Sequence, residues 1–305
     1  VFRKPLDLGL IILVPVLFAL APFAYNNQLM LFNAMAFLVL AQGVNIIYGF
    51  TGYLPFGYVG FFGAGAYGAS ISILLLHVPA LAAVLLGGLV ALVLGLILSP
   101  LLRLSGAYFA IATLAASEAV YYVISNENLT RVTRGPYGIS LAGVYAPAAS
   151  YLAMAVVVGL VTAVVVYLKR SHLGLSLKAV RDDPLSAEMA GIDVRRQRML
   201  AWIWSALFAG LTGAIFAWQI SVFYPHTVFD PSISIFAIVF TLFGGAGTVI
   251  GPILGVVVLY GIYNLIGITE PEYFQLIYGV LIMVLVLFLP EGIVSLLKRG
   301  GVNVL

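Results

Sequence analysis

The run from Arg181 to Gly191 holds the densest group of residues able to do more than fill a membrane. Asp182 and Asp183 stand ahead of Pro184, good helix formers follow through Leu185, Ala187, Glu188, Met189 and Ala190, and Gly191 closes the run. An aspartate before a proline starts a helix by accepting its free amides, and a glycine stops one by turning left-handed. The spacing predicts a short helix of about two turns. Arg181 precedes it and Arg195, Arg196 and Arg198 follow. Such a helix is either a solvated connector or a docking element, with Leu185 and Met189 on the face that enters a partner's groove and Glu188 near its edge.

Two glycine-rich breaks and one acid form the second group. Gly49, Gly52, Pro55 and Gly57 interrupt one apolar stretch, and Gly244, Gly245 and Gly247 with Pro252 interrupt another. Broken backbone at membrane depth survives only where protein or a water-filled cavity satisfies its amides, so both breaks are candidates for a translocation path. Gly52, Phe56, Gly57 and Tyr58, with Phe61 and Phe62, would line such a path with apolar surface; packing in the core is the competing role for those aromatics. Gly247, Gly251 and Gly255 recur every fourth residue, which also suits a close helix crossing. Glu118 is the one acid expected inside a span, roughly 18 Å from the start of its helix. Intramembrane carboxylates are costly, and Glu118 is a candidate partner for a substrate ammonium, an arginine or a neighbouring helix.

Other patterns fail on context. Gly63 to Gly68 spells a dinucleotide fingerprint, but inside an apolar span with no strand before it. Gly245 to Gly251 resembles a phosphate-binding loop, yet Pro252 stands where its lysine must be. His77, His172 and His226 lack ligand spacing, and the chain has no cysteine.

The elements that must position these residues follow from composition. Of 305 residues, 63% are hydrophobic and 8% charged, and the mean hydropathy is +1.14. That composition predicts an all-α polytopic membrane protein. The long unbroken apolar runs exclude an outer-membrane barrel, whose strands alternate polar and apolar residues. The net charge of +3 reflects loop cations rather than a nucleic-acid surface.

About ten spans are expected, at 6–25, 28–48, 55–76, 79–102, 106–124, 151–168, 199–223, 232–243, 249–267 and 273–289, within a single transmembrane domain over 1–305. The first, with Pro15 and Pro22 inside, is read as a retained span because no small-residue cleavage site follows it. The eighth is too short to cross alone, so a broken or half-spanning helix is expected there. With both termini in the cytoplasm, twelve of the fourteen lysines and arginines fall inside and only Arg131 and Arg134 outside, as the positive-inside rule demands. The loop at 169–198 is then cytoplasmic and that at 126–150 external. Trp202, Trp204, Tyr121, Tyr122 and Tyr224 fall at span ends and suit interfacial belts or helix packing.

Read together, several stretches resemble the LivM-type permeases of the branched-chain amino acid ABC transporter family. They are GFTGYLPFGYVGFFGAGAYGAS at 49–70, LRLSGAYFAIATLA at 102–115, TRGPYGI at 133–139, AEMAGIDVRRQRMLAW at 187–202, GGAGTVIGPILG at 244–255 and LPEGIVSLLKR at 289–299. Each is weak alone; in this order they are specific. The resemblance implies that Ala187, Glu188, Ala190 and Gly191 belong to a helix that docks into an ATPase subunit. Pro55 and Tyr58 stand where the family usually has serine and histidine, and Arg134 where it has glycine.

The implied function is the membrane subunit of an ATP-driven importer of branched-chain or other hydrophobic amino acids. It would bind no nucleotide itself, since ATP and magnesium belong to its partners. Those partners would be a second, LivH-like permease, two cytoplasmic ATPases, an external or periplasmic substrate-binding protein and the lipid bilayer, with no nucleic acid. Related importers handle urea, other amino acids or small carboxylates. An ion-coupled secondary transporter is the competing class, for which Glu118 alone is thin provision. An intramembrane enzyme lacks paired catalytic groups.

Overall fold

The computed structural model describes residues 5–269, together with Leu276, Gly279, Val280, Met283 and residues 292–295. Thirteen helices follow one another in the first of these stretches: α1 (Pro5–Ala24), α2 (Gln28–Val44), α3 (Val59–Leu76), α4 (Ala80–Ile97), α5 (Gly106–Ile124), α6 (Thr130–Thr133), α7 (Pro147–Arg170), α8 (His172–Asp182), α9 (Pro184–Met189), α10 (Val194–Ile220), α11 (Pro225–Val228), α12 (Pro231–Gly244) and α13 (Ile250–Thr269). The two-residue strands β1 (Ile139–Ser140) and β2 (Val222–Phe223) pair antiparallel. Among the described residues, seven helical runs are long and apolar enough to cross a membrane: 28–49, α3, α4, α5, α7, α10 and 225–244. Shorter apolar stretches lie within α1 and α13. The span expected at 273–289 falls almost wholly outside the described residues.

Local chemistry sets the helix boundaries. Asn27, Ser171, Asp183, Asp193 and Asp230 each accept an amide from the first turn of α2, α8, α9, α10 and α12, the expected role of such residues at a cap. Proline opens α7, α9, α11 and α12, where its missing N–H is no loss. Three expectations needed correction. The fourth span ends at Ile97 and gives way to a 3₁₀ turn at Ser99–Arg103, since Pro100 supplies no amide to continue the helix. The seventh begins at Val194, because the Asp193 cap draws Arg195, Arg196 and Arg198 into the helix itself. The eighth is preceded by α11, and together they make a run of 20 residues.

α10 is the hub, packed against α2, α3, α4 and α7. Its approach to α3 and α4 depends on missing side chains: a Cβ on Gly65 would lie 2.1 Å from the Gly210 carbonyl oxygen, and one on Gly210 2.2 Å from the Ala91 Cβ. Backbones this close gain dispersion contacts that larger residues would forbid. Trp202 is 1% exposed and donates from Nε1 to the Gly95 carbonyl at 2.8 Å. It packs between helices rather than in an interfacial belt; Trp204, 40% exposed, keeps a surface position. At the margin of this core, α5 buries only Phe109, Thr113 and Ser117.

Candidate functional site

The segment after α7 folds into two helices rather than a loop. α8 buries Gly174, Leu177 and Val180, an i, i+3, i+6 stripe that seats it against α7 and α10. α9 follows after one residue. Asp183 Oδ1 accepts from the Leu185 amide at 3.0 Å, and Ser186 Oγ donates to Asp183 Oδ2 at 2.5 Å. The Ser186 hydroxyl first, and then the Leu185 amide, hold the Asp183 carboxyl below the usual aspartate range. Gly191, at φ +84°, closes the other end while the Ile192 amide donates back to the Ala187 carbonyl at 3.0 Å. The helix is therefore capped at both ends, as its residues predicted.

Its side chains divide. Ala187 is buried, whereas Leu185 is 68% and Met189 84% exposed. Glu188 lines a hollow of about 280 Å³ with Arg103, Arg195 and Arg198. Asp182, Asp183, Pro184, Ala190 and Gly191 are exposed around this apolar pair. Arg181 is exposed as well, but its Nη1 donates inward to the Gly49 carbonyl at 2.6 Å.

That carbonyl belongs to the first glycine break. α2 passes into a π turn at Asn45–Gly49 before the chain leaves the helix. π turns interrupt the regular ladder and often mark functional positions. The second break, between α12 and α13, lies against it. Gln42 Nε2 donates to the Val249 carbonyl and Asn45 Nδ2 to the Thr248 carbonyl, both at 2.8 Å, while Asn45 Oδ1 accepts from the Gly247 amide at 2.7 Å. Gln42 and Asn45 are wholly buried; their amides satisfy backbone that would otherwise be stranded. Lys169 Nζ completes the junction at 2.9 Å from the Gly247 carbonyl. Both breaks thus meet at the basic end of the bundle. None of the long-range members of this junction was foreseen beyond the glycines and Arg181.

Of the residues expected on a path, Gly52 and Phe56 line an apolar cleft of about 450 Å³ with Leu54, Ala107, Ile111 and Leu114. Glu118 lies one turn beyond Leu114 on the same stripe of α5. It is partly buried, and among the described residues no hydrogen bond or ion pair engages its carboxylate. The others sit behind this surface. A Cβ on Gly57 would fall 1.8 Å from the Thr113 carbonyl oxygen, so Gly57 lets the turn before α3 touch α5. Tyr58 is fully buried and donates to the Ser205 carbonyl at 2.9 Å. Phe61 packs edge-on to Trp202, with ring centres 4.9 Å apart. Gly244 abuts Gly251, and Gly255 abuts the Phe240 carbonyl, so α12 and α13 cross closely there. Gly245 and Gly247 form the turn between them, at φ +117° and +82°.

Comparison with known proteins agrees with this architecture. Residues 28–286 match the family model described as branched-chain amino acid transport system / permease component. The high-affinity branched-chain amino acid transport system permease protein LivM of Escherichia coli (strain K12) is 30% identical over 299 residues, covering 87% of this chain and 69% of that protein. LivM of Salmonella typhimurium matches to the same extent. The fructose import permease protein FrcC of Rhizobium meliloti is 32% identical over 127 residues, 39% of this chain and 35% of its own. No solved structure matches. A match along most of the chain, on a bundle of membrane-length apolar helices, gives its place: it belongs to the branched-chain amino acid transport system permease family, as a multi-pass transport component of the inner membrane.

Proposed function

We propose that this chain is the membrane subunit of an ATP-driven importer for branched-chain or other hydrophobic amino acids, moved by ATPases that dock on α9. One observation carries the reading. α9 is a rigidly capped helix that buries Ala187 and leaves Leu185 and Met189 in the open, the arrangement of a helix waiting for a groove. On this reading the basic end faces the cytoplasm, in accord with the charge rule. ATP and magnesium are held by the two ATPase subunits, and substrate arrives from an external binding protein near residues 126–150. A second, LivH-like permease completes the membrane unit.

The path then runs along the cleft at Gly52 and Phe56 and up the α5 stripe toward Glu118, whose carboxylate would meet a substrate ammonium. Gly57, Tyr58, Gly244, Gly245 and Gly247 support that surface from behind. Aliphatic cleft walls fit a hydrocarbon side chain. The alternation of access requires that ATP binding favour one orientation over the other. The test is reconstitution with the ATPase and binding-protein partners. Replacing Leu185 and Met189 together by aspartate is expected to release the ATPases and abolish uptake while the permease still inserts; full uptake by that variant contradicts the reading. A melting-shift screen of the binding protein against leucine, urea and small carboxylates identifies the cargo.

A further inference from the structure

We infer that Arg181, with Lys169 beside it, is the positioning residue that carries motion of α9 into the two broken helices; this rests on the docking role proposed for α9. Arg181 sits two residues before the α9 cap, yet it turns away from the exposed Leu185 and Met189. Its guanidinium reaches the Gly49 carbonyl at 2.6 Å, lies 3.1 Å from where a Cβ on Gly247 would stand, and its Cγ lies 3.5 Å from where one on Gly52 would stand. Lys169, in the last turn of α7 just ahead of α8, holds the Gly247 carbonyl. Arg181 therefore caps the end of the π turn that extends α2, and Lys169 a carbonyl of the turn that follows α12. A helix C-terminus presents unpaired carbonyls and partial negative charge, so a cation there is attracted and directionally held. Charge-assisted bonds of this kind are the stronger class.

The geometry gives the pair a use. Gly52 lines the cleft and Gly49 is three residues away. A displacement of α8 and α9 that drags Arg181 must pull the 49–56 segment, and through Asn45 and Gln42 the turn at 245–249 moves with it. Arg198 adds a third hold, stacked 4.6 Å over the Tyr53 ring inside the same segment. The missing side chain at Gly247 leaves room for the guanidinium, and that at Gly49 lets Asn45 and the Gly247 amide approach. Arg181 on this account touches no ATPase; it reads inward.

The experiment uses the complete importer in proteoliposomes, with ATP hydrolysis, substrate uptake and ATPase co-purification measured together. For Arg181→Ala, co-purification and hydrolysis are expected to persist while substrate moved per ATP falls about tenfold, the factor that loss of one charge-assisted hydrogen bond carries in an equilibrium. Arg181→Lys is expected to recover part of that ratio, because it returns the cation but not the planar fork. Normal coupling in Arg181→Ala overturns the inference, and so does loss of ATPase co-purification in that variant alone, which would make Arg181 a docking residue. Should Arg181→Ala fail to fold, Phe56→Cys with Ile111→Cys, labelled in a chain that has no native cysteine, reports the cleft width. An ATP-driven change in that distance that is smaller in Arg181→Lys than with arginine supports the inference, and equal changes overturn it. If the unmodified chain retains no ATPase, the docking reading falls and this inference with it.

Discussion

The two glycine breaks look alike in sequence and behave differently in the fold. The first, around Gly49 to Gly57, opens onto a cleft with Gly52 and Phe56 in its wall. The second, Gly244 to Gly251, is closed by a helix crossing with backbone against backbone. One glycine-rich break gives the chain a surface and the other gives it a hinge with nothing to line. The two are laced together by Gln42 and Asn45 and roofed by the same pair of cations. Glycine content alone therefore does not mark a path; what matters is whether the space beside the missing side chain is filled by backbone or left open.

Substitutions can break that contrast, beginning with the largest expected effect. Gly255→Ala and Gly57→Ala each drive a methyl into a carbonyl oxygen, at 1.9 and 1.8 Å. Each is expected to destabilise the permease by roughly 3 kcal/mol or more, beyond the usual cost of overpacking because the obstacle is backbone, read as a lower melting temperature in detergent. Asn45→Leu should follow closely. It strands the Gly247 amide and the Thr248 carbonyl, and unmade buried hydrogen bonds cost about 1–3 kcal/mol each. A melting curve and the loss of ATP-coupled uptake check it together. Gly52→Ala sharpens the comparison, because nothing crowds it closer than 3.5 Å, but its φ of +78° penalises an L-residue by about 1–2 kcal/mol. Its uptake is expected to fall more than its stability.

Smaller effects lie at the two ends of the bundle. Because bonding lowers the Asp183 carboxyl's pKa in the fold, its contribution to α9 is present above the ordinary aspartate value and is lost as pH falls through the lowered one. Hydrogen exchange of the Leu185 amide should accordingly stay protected at neutral pH and lose protection only in acid, relative to the base-catalysed background; equal protection in Asp183→Ala contradicts the cap. The smallest change is Arg134→Gly. Arg134 holds φ +63°, so the substitution should raise the melting point of the intact protein slightly, by no more than about 1 kcal/mol of relieved strain.

What could be read from residues alone was whatever local chemistry decides. The caps of α9, the stop at Gly191 and the cores of most apolar spans each depend on neighbours within a few positions, and they were found near where the spacing put them, with the bounds of the fourth, seventh and eighth spans shifted. α8 was not foreseen because its apolar stripe is short and lies within the cytoplasmic loop expected at 169–198. The junction was out of reach for a different reason: Gln42 meets Val249 across 207 positions and Asn45 meets Thr248 across 203. No periodicity announces such a pair. Tyr58 shows the converse, an aromatic beside a break whose burial depends on Ser205 of a distant helix.

The most direct test of the account is the fate of Met189 in the assembled transporter. With Met189→Cys as the sole cysteine, a membrane-impermeant thiol reagent should label it only from the cytoplasmic side, and binding of the ATPase subunits should block that labelling and permit a cross-link to them. Labelling from the external side, or labelling unchanged by the ATPases, would contradict it.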